Sequence, residues 1–209
     1  MTNLSWYWDT KWRKVKDERE NPFARRCVRL FPKFGVKTIL DIGCGSGVDA
    51  LYFARKGYMV TAVDVSPEAL QQLRARLRES RIRTVTLLRR NVAKRLPFPN
   101  LSFDCVHAHL SLHFFDDRTA AKIIGEAWRV LRRGGIICVK CKSVHDQLYG
   151  KGTRVDNDMY YYGHTRHFFS KEYMKERLGR FHIVAMRASS SQYHGKLSAF
   201  IEAIAQKKL

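Results

Sequence analysis

The sequence predicts an α/β fold: a doubly wound, mostly parallel sheet of seven strands that ends in an antiparallel hairpin. Three observations predict it. Strand-like and helix-like segments alternate from Val36 onward, which implies right-handed crossovers between parallel strands. The first strand, Ile39-Leu40-Asp41-Ile42, is nearly all apolar, as a strand covered on both faces should be. Its carboxyl end turns over three alternate glycines, Gly43, Gly45 and Gly47.

The expected elements run in order. Residues 1–35 form a basic, aromatic arm carrying Trp6, Tyr7, Trp8 and Trp12, followed by a helix over 22–31 with Asn21 as N-cap and Pro22 at its first position. Strand one covers 37–42, a helix 48–56, strand two 58–64, a helix 67–79 and strand three 84–89. Strand four covers 104–108 after the turn at Pro97–Asn100. A helix over 118–131 is broken by Gly134-Gly135, and strand five covers 136–140. The segment 143–169 has little periodicity, with Gly150, Gly152, Gly163, four tyrosines and three histidines, and reads as a substrate-side loop. A helix over 170–178 and strands near 180–187 and 196–205 complete one domain spanning residues 1–209.

Composition narrows the class. A chain of 209 residues that is 45% apolar is long enough for a real core and is not disordered. No stretch approaches the roughly 20 apolar residues of a membrane span, and the amino terminus lacks signal-peptide order. Five cysteines without framework spacing read as free thiols in a reducing cytoplasm. The net charge is +20, and Arg74 to Arg95 holds nine basic residues against one acid. That density fits either a nucleic-acid footprint or a solvated helix face; no aromatic side chain is interleaved to stack on bases.

Asp64 closes strand two, seventeen residues after Gly47. Glycines at one strand tip leave main chain bare for a ligand, and an acid at the next tip can hold both hydroxyls of a ribose. The dinucleotide fingerprint G-x-G-x-x-G fails at Val48, and no Gly-Lys-Ser/Thr phosphate loop is present.

With these residues in view, the chain resembles the class I S-adenosylmethionine-dependent methyltransferases over nearly its whole length. Asp41–Gly47 looks like motif I, Asp64 like the motif II acid, and Leu96–Asp104 like the approach to strand four. Trp128–Gly135 looks like the turn before strand five, with Arg133 where proline is usual. Tyr7-Trp8-Asp9, Ser111–Asp117 and Gly163–Ser170 are similar to small bacterial enzymes related to the tellurite-resistance methyltransferases. The resemblance implies a Rossmann-like sheet and S-adenosylmethionine as cofactor. By matched position it places Gly43, Cys44, Gly45 and Gly47 against the aminoacyl end and Asp41 toward its ammonium. It places Asp64 and Val65 at the ribose, Asn91 and Val92 around adenine, and His109 and Leu110 beside the methyl. Asn91 stands where the family usually carries Asp. Trp8 and its neighbours either pack the first helix or close over cofactor and substrate.

Methyl transfer from a sulfonium is an in-line displacement, so alignment is the main task and contributes roughly 7–11 kcal/mol. A thiolate or reduced metalloid needs no base, whereas an alcohol or protonated amine needs one within hydrogen-bond reach. His113, His164 and His167 are the candidate bases, and Arg166 offers a fork for an anionic substrate. Cys138 and Cys141 have C-x-x-C spacing but fall on a strand, where residues three apart face opposite ways, so no metal is expected. His107 reads as structural. The expected acceptor is a small molecule, a thiol, metalloid or similar; RNA is the alternative, and the chain is expected to be a monomer or homodimer.

Overall fold

A computed structural model describes residues 4–14, 22–193 and 196–208; the side chains of Leu4, Tyr193 and Lys196 and the expected cap Asn21 lie outside the described residues. Seven strands form one sheet in the order β3-β2-β1-β4-β5-β10-β9. They are β1 (Thr38–Ile42), β2 (Met59–Asp64), β3 (Val85–Arg89), β4 (Phe103–His109), β5 (Leu131–Lys142), β9 (Phe181–Tyr193) and β10 (Lys196–Lys207). The first five pair in parallel, and β10 runs antiparallel to both β5 and β9. This is the doubly wound architecture expected from the alternation.

Helices cover both faces. On one side α5 (Asp117–Val130) and α6 (Lys171–Arg177) pack on Leu40, Ile42, Val106, Ala108, Ile137 and Val139. On the other, α2 (Pro22–Leu30), α3 (Val48–Arg55) and α4 (Pro67–Glu79) pack on Ile39, Val60, Ala62, Cys105 and Cys138. Alternation along each strand therefore serves two cores at once. Cys138 and Cys141 lie in opposite cores, which their spacing on a strand requires.

Local chemistry explains the helix starts. Ser66 caps α4 by accepting from the Ala69 N–H at 3.1 Å, with Pro67 at the first helical position. Asp116 and Ser170 cap α5 and α6 in the same way. The aromatic arm contains a helix, α1 (Leu4–Trp12), which lies against α4.

Several elements differ from expectation; β5 begins at Leu131 and runs through Gly134-Gly135 to Lys142 rather than covering 136–140. The segment 143–169 is not irregular throughout: β6 (Thr153–Asp156), β7 (Met159–Tyr161) and β8 (Thr165–His167) form a separate antiparallel sheet. All four residues of β6 are exposed, so no in-out alternation marks it in the sequence. The C-terminal strands also run longer than expected, β9 through Tyr193 and β10 through Lys207. Polar pairing supports that extension. Glu202, 3% exposed, accepts from Arg26 Nη2 and Ser189 Oγ and lies 3.6 Å from the buried Lys140 ammonium.

Breaking a buried charge cluster by removing one sign strands the other. Glu202→Ala is expected to cost about 3 kcal/mol of stability, read from the urea midpoint at an unchanged slope.

Candidate active site

The glycine turn is fixed by β2. The N–H groups of Gly43 and Cys44 both donate to the Val63 carbonyl, at 2.7 and 3.0 Å. Gly43, Gly45 and Gly47 have φ of +69°, +55° and +80°, a region that side chains with a Cβ rarely enter. In this structure protein side chains lie where the missing Cβ atoms would be. A Cβ on Gly43 would fall 2.5 Å from Ser111, on Gly45 2.4 Å from the Trp12 ring, and on Gly47 2.2 Å from Leu73. Cys44 is half-buried at the apex of the turn.

Asp64 ends β2 beside this turn. Its two oxygens accept from the N–H groups of Gly45 and Ser66, each at 2.9 Å. Burial raises its pKa despite those bonds. Val65 follows it, and its carbonyl accepts from Ser5 Oγ.

Asp41, on β1, pairs across to β4, where it lies opposite His107 in register. His107 Nδ1 stands 2.9 Å from Asp41 Oδ1, and the ring is fully buried, stacked on Phe23 and edge-on to Phe53. Burial would lower the His107 pKa, but the bond to Asp41 and the charges of Asp41 and Asp49 outweigh it and raise it. Asp49, in the first turn of α3, lies 3.8 Å from His107 Nε2 and 3.0 Å from His109 Nδ1. Two carboxylates and two imidazoles thus alternate across the strand tips. Asp49 was not among the residues singled out from the sequence; its only signal was an acid at the second position of an otherwise apolar helix start. Asp41 Oδ2 is buried and has no hydrogen-bond partner.

The adenine-side residues are partly as expected. Asn91 is half-buried, and its Oδ1 accepts from the Ala93 N–H at 2.9 Å, so the carboxamide oxygen already shapes its own turn. Val92 is buried in the α5-side core. Leu110 has a positive φ of 53° and donates its N–H to the Lys140 carbonyl, which turns the chain sharply after His109.

The arm, the turn after β4 and the small sheet meet in one aromatic cluster. Trp8 packs edge-on to Phe114 at 4.5 Å, and Tyr7 and Phe114 lie 5.4 and 5.2 Å from the His164 ring. His113 adjoins Phe114 at 4.2 Å. The buried atoms Tyr7 Oη, His113 Nδ1, His164 Nε2 and Ser111 Oγ have no hydrogen-bond partner. Burial, with the positive charges of Lys142 and Arg166, pushes the His113 pKa well down. Burial, Arg166 and Lys11 lower that of His164 to about 3. His167 belongs to a different layer, packed on Phe169 and Tyr173 at 5.0 and 4.6 Å.

Comparison with known proteins follows this geometry. Residues 39–135 match the family model described as a methyltransferase domain. The chain is 32% identical over 130 residues to a 27-O-demethylrifamycin SV methyltransferase of Amycolatopsis mediterranei, covering 62% of this chain and 47% of that protein. It is 33% identical over 149 residues to a demethylmenaquinone methyltransferase of Tropheryma whipplei, covering 70% and 54%. Residues 39–135 are a methyltransferase domain. The chain spans about half the length of these two relatives. A SAM-dependent methyltransferase structure from Methanosarcina mazei superposes with a TM-score of 0.75 at 26% identity, covering 83% of this chain and 93% of that one. TehB from Haemophilus influenzae shares the fold, with a TM-score of 0.71 at 15% identity over 98% of this chain and 67% of its own. The glycine turn, Asp41, Asp64 and β4 all lie inside the matched methyltransferase domain.

The raised His107 pKa has a consequence for stability. Its contribution is full below the ordinary imidazole value near ~6.5 and drains as pH rises through the raised value. In urea titrations, the stability gap between the wild type and His107→Gln is expected to narrow from pH 6 to pH 9.

Proposed function

We propose that this chain transfers a methyl group from S-adenosylmethionine to a small-molecule acceptor that attacks as a preformed soft anion, a thiolate or a reduced metalloid. The observation that carries the reading is the pair of buried carboxylates, Asp41 and Asp64, flanking the glycine turn at adjacent strand tips. The residues present fit the cofactor. Asp41 Oδ2 is an orphaned buried acceptor, suited to an ammonium, and Asp64 retains lone pairs for ribose hydroxyls beyond its two main-chain bonds. Val65, Asn91 and Val92 follow on the adenine side; Gly43, Cys44, His109 and Leu110 line the aminoacyl and methyl side.

When bound, S-adenosylmethionine supplies an electrophilic methyl on a positively charged sulfur. The chain's own residues then align the acceptor and exclude water. Trp8 and Phe114 wall one side, and Tyr7 Oη, His113 and His164 present hydrogen-bonding atoms that the protein leaves unmatched. Arg166 brings positive charge toward both histidines, and Lys142 toward His113. A histidine lowered to about 3 is too weak a base to take a proton near neutral pH. His113 and His164 therefore act as neutral hydrogen-bonding groups, and the nucleophile arrives already ionised. His167, the last residue of β8, packs on Phe169 and Tyr173 rather than joining this cluster. The aromatic side chains crowded around His164 favour a small acceptor over RNA.

Two measurements test the reading. Asp64→Ala is expected to weaken S-adenosylhomocysteine binding at least about tenfold by calorimetry, since each charge-assisted bond contributes roughly 1.5–3 kcal/mol. Unchanged affinity would remove Asp64 from the site. In an acceptor panel of thiols, selenite, tellurite and RNA, turnover with a thiol should rise with pH as the thiol ionises, near ~8.5 for an ordinary thiol. His164→Gln should leave that midpoint in place; a midpoint that moves would make His164 the base.

A further inference from the structure

The arm touches the glycine turn through Trp12. Two indole carbons stand 2.4 and 2.5 Å from where a Cβ on Gly45 would lie, so the ring rests against that residue's bare Cα. The Gly45 N–H is bonded to Asp64 Oδ2. The indole thus lies against the turn at the residue bonded to the ribose-side carboxylate. The rest of α1 is pinned along the same edge. Ser5 Oγ donates to the Val65 carbonyl at 3.2 Å, and Gln72 Nε2 donates to the Trp12 carbonyl at 2.8 Å. Asp9 Oδ1 accepts from Ser66 Oγ at 2.5 Å and from the Glu68 N–H at 3.3 Å, which seats a carboxylate at the N-terminus of α4.

We propose that Trp12 gates the cofactor berth: its indole, as placed on Gly45, and the aminoacyl end of a bound cofactor exclude each other, and binding swings the ring away while Asp9 and the Trp12 main chain keep α1 docked. The proposal rests on the cofactor reading above. The indole occupies the face of Gly45 that the aminoacyl end is assigned to approach, and two groups cannot share it. Asp9 and Gln72 hold the helix by atoms outside the indole, so the ring can leave without undocking the arm. A gate lowers apparent affinity by the fraction of molecules in which it stands open.

The sign of one substitution separates a gate from a wall. A ring that stacked on the cofactor would make binding weaker when removed; a ring that blocks it makes binding tighter. The test measures S-adenosylhomocysteine binding by calorimetry and stopped-flow tryptophan emission on the full chain, for the wild type, Trp12→Ala and Trp12→Phe. Trp12→Ala is expected to bind roughly three- to tenfold tighter and to associate faster. The wild type should show a red shift on binding as the indole moves to water, and Trp12→Phe should lack it. Equal or weaker binding by Trp12→Ala, or the same shift in Trp12→Phe, overturns the gate while leaving the cofactor reading intact. Binding by Trp12→Ala alone would be the gate in its strongest form. No binding by any of the three overturns the cofactor reading and the gate with it.

Discussion

The strand tips depend on one buried pair, Asp41 with His107. Parallel pairing of β1 and β4 sets these two residues side by side beneath the glycine turn. Alone, a carboxylate so deeply buried would not stay ionised, and burial does push the Asp41 pKa upward. His107 offsets part of that cost, and Phe23 and Phe53 hold its ring in place. The same imidazole faces Asp49, whose pKa is lowered: burial is outweighed by His109, His107 and Lys140. One histidine therefore lets two acids sit at adjacent element ends. Removing its charge would set two buried carboxylates against each other with only His109 between Asp49 and the cleft.

That arrangement divides the histidines by role. His107 lies between two acids and favours its proton. His113 and His164 lie among cations and aromatic rings and lose theirs. The division follows the strands: Asp41 and Asp49 gather on the α3 side of β4, whereas Lys142 and Arg166 gather around the turn after β4. On the proposed reading, a methyl donor that brings positive charge would sit beside the acids and an anionic acceptor beside the cations. The opposed fields would orient the two reactants before any bond changes.

Much of this was legible in the sequence, and the failures have physical causes. The helix over 67–79 begins at the Ser66 cap and Pro67, and β1 is apolar but for Asp41 and Thr38; such signals act locally. Helix α1 left no such mark: Trp6, Tyr7, Trp8 and Trp12 crowd one end, and its burial comes from α4 and the small sheet. The strands β6, β7 and β8 span three or four residues each, too short for alternation to register. Asp49 escaped notice because its importance is a matter of distance to His107 and His109, which no spacing along the chain reports. Among the site residues, His164 and Phe114 meet because β8 packs against the turn after β4. His167 directly follows Arg166 on β8, and successive residues of a strand point to opposite faces.

The strong positive charge also reads differently once placed in the fold. Lys140, Lys142 and Lys207 are buried, each only 4% exposed, and none is available to a nucleic acid. Lys142 donates to Asp146 and Ser198, each at 2.8 Å, and Lys207 donates to the carbonyls of Trp128 and Leu131, each at 2.7 Å. Lys140 and Lys142 flank the Phe200 ring at 4.2 and 4.9 Å from its centroid. These lysines stitch β10 to β5 and to the end of α5, so part of the excess basicity is spent on holding the antiparallel hairpin to the parallel sheet. The hairpin in turn places Ser198 and Ala199 under Asp146, at the start of the segment that carries β6, β7 and β8. Internal cations between β5 and β10 thus help position the wall that bears His164 and Arg166, and part of the positive charge has a structural use next to the candidate site.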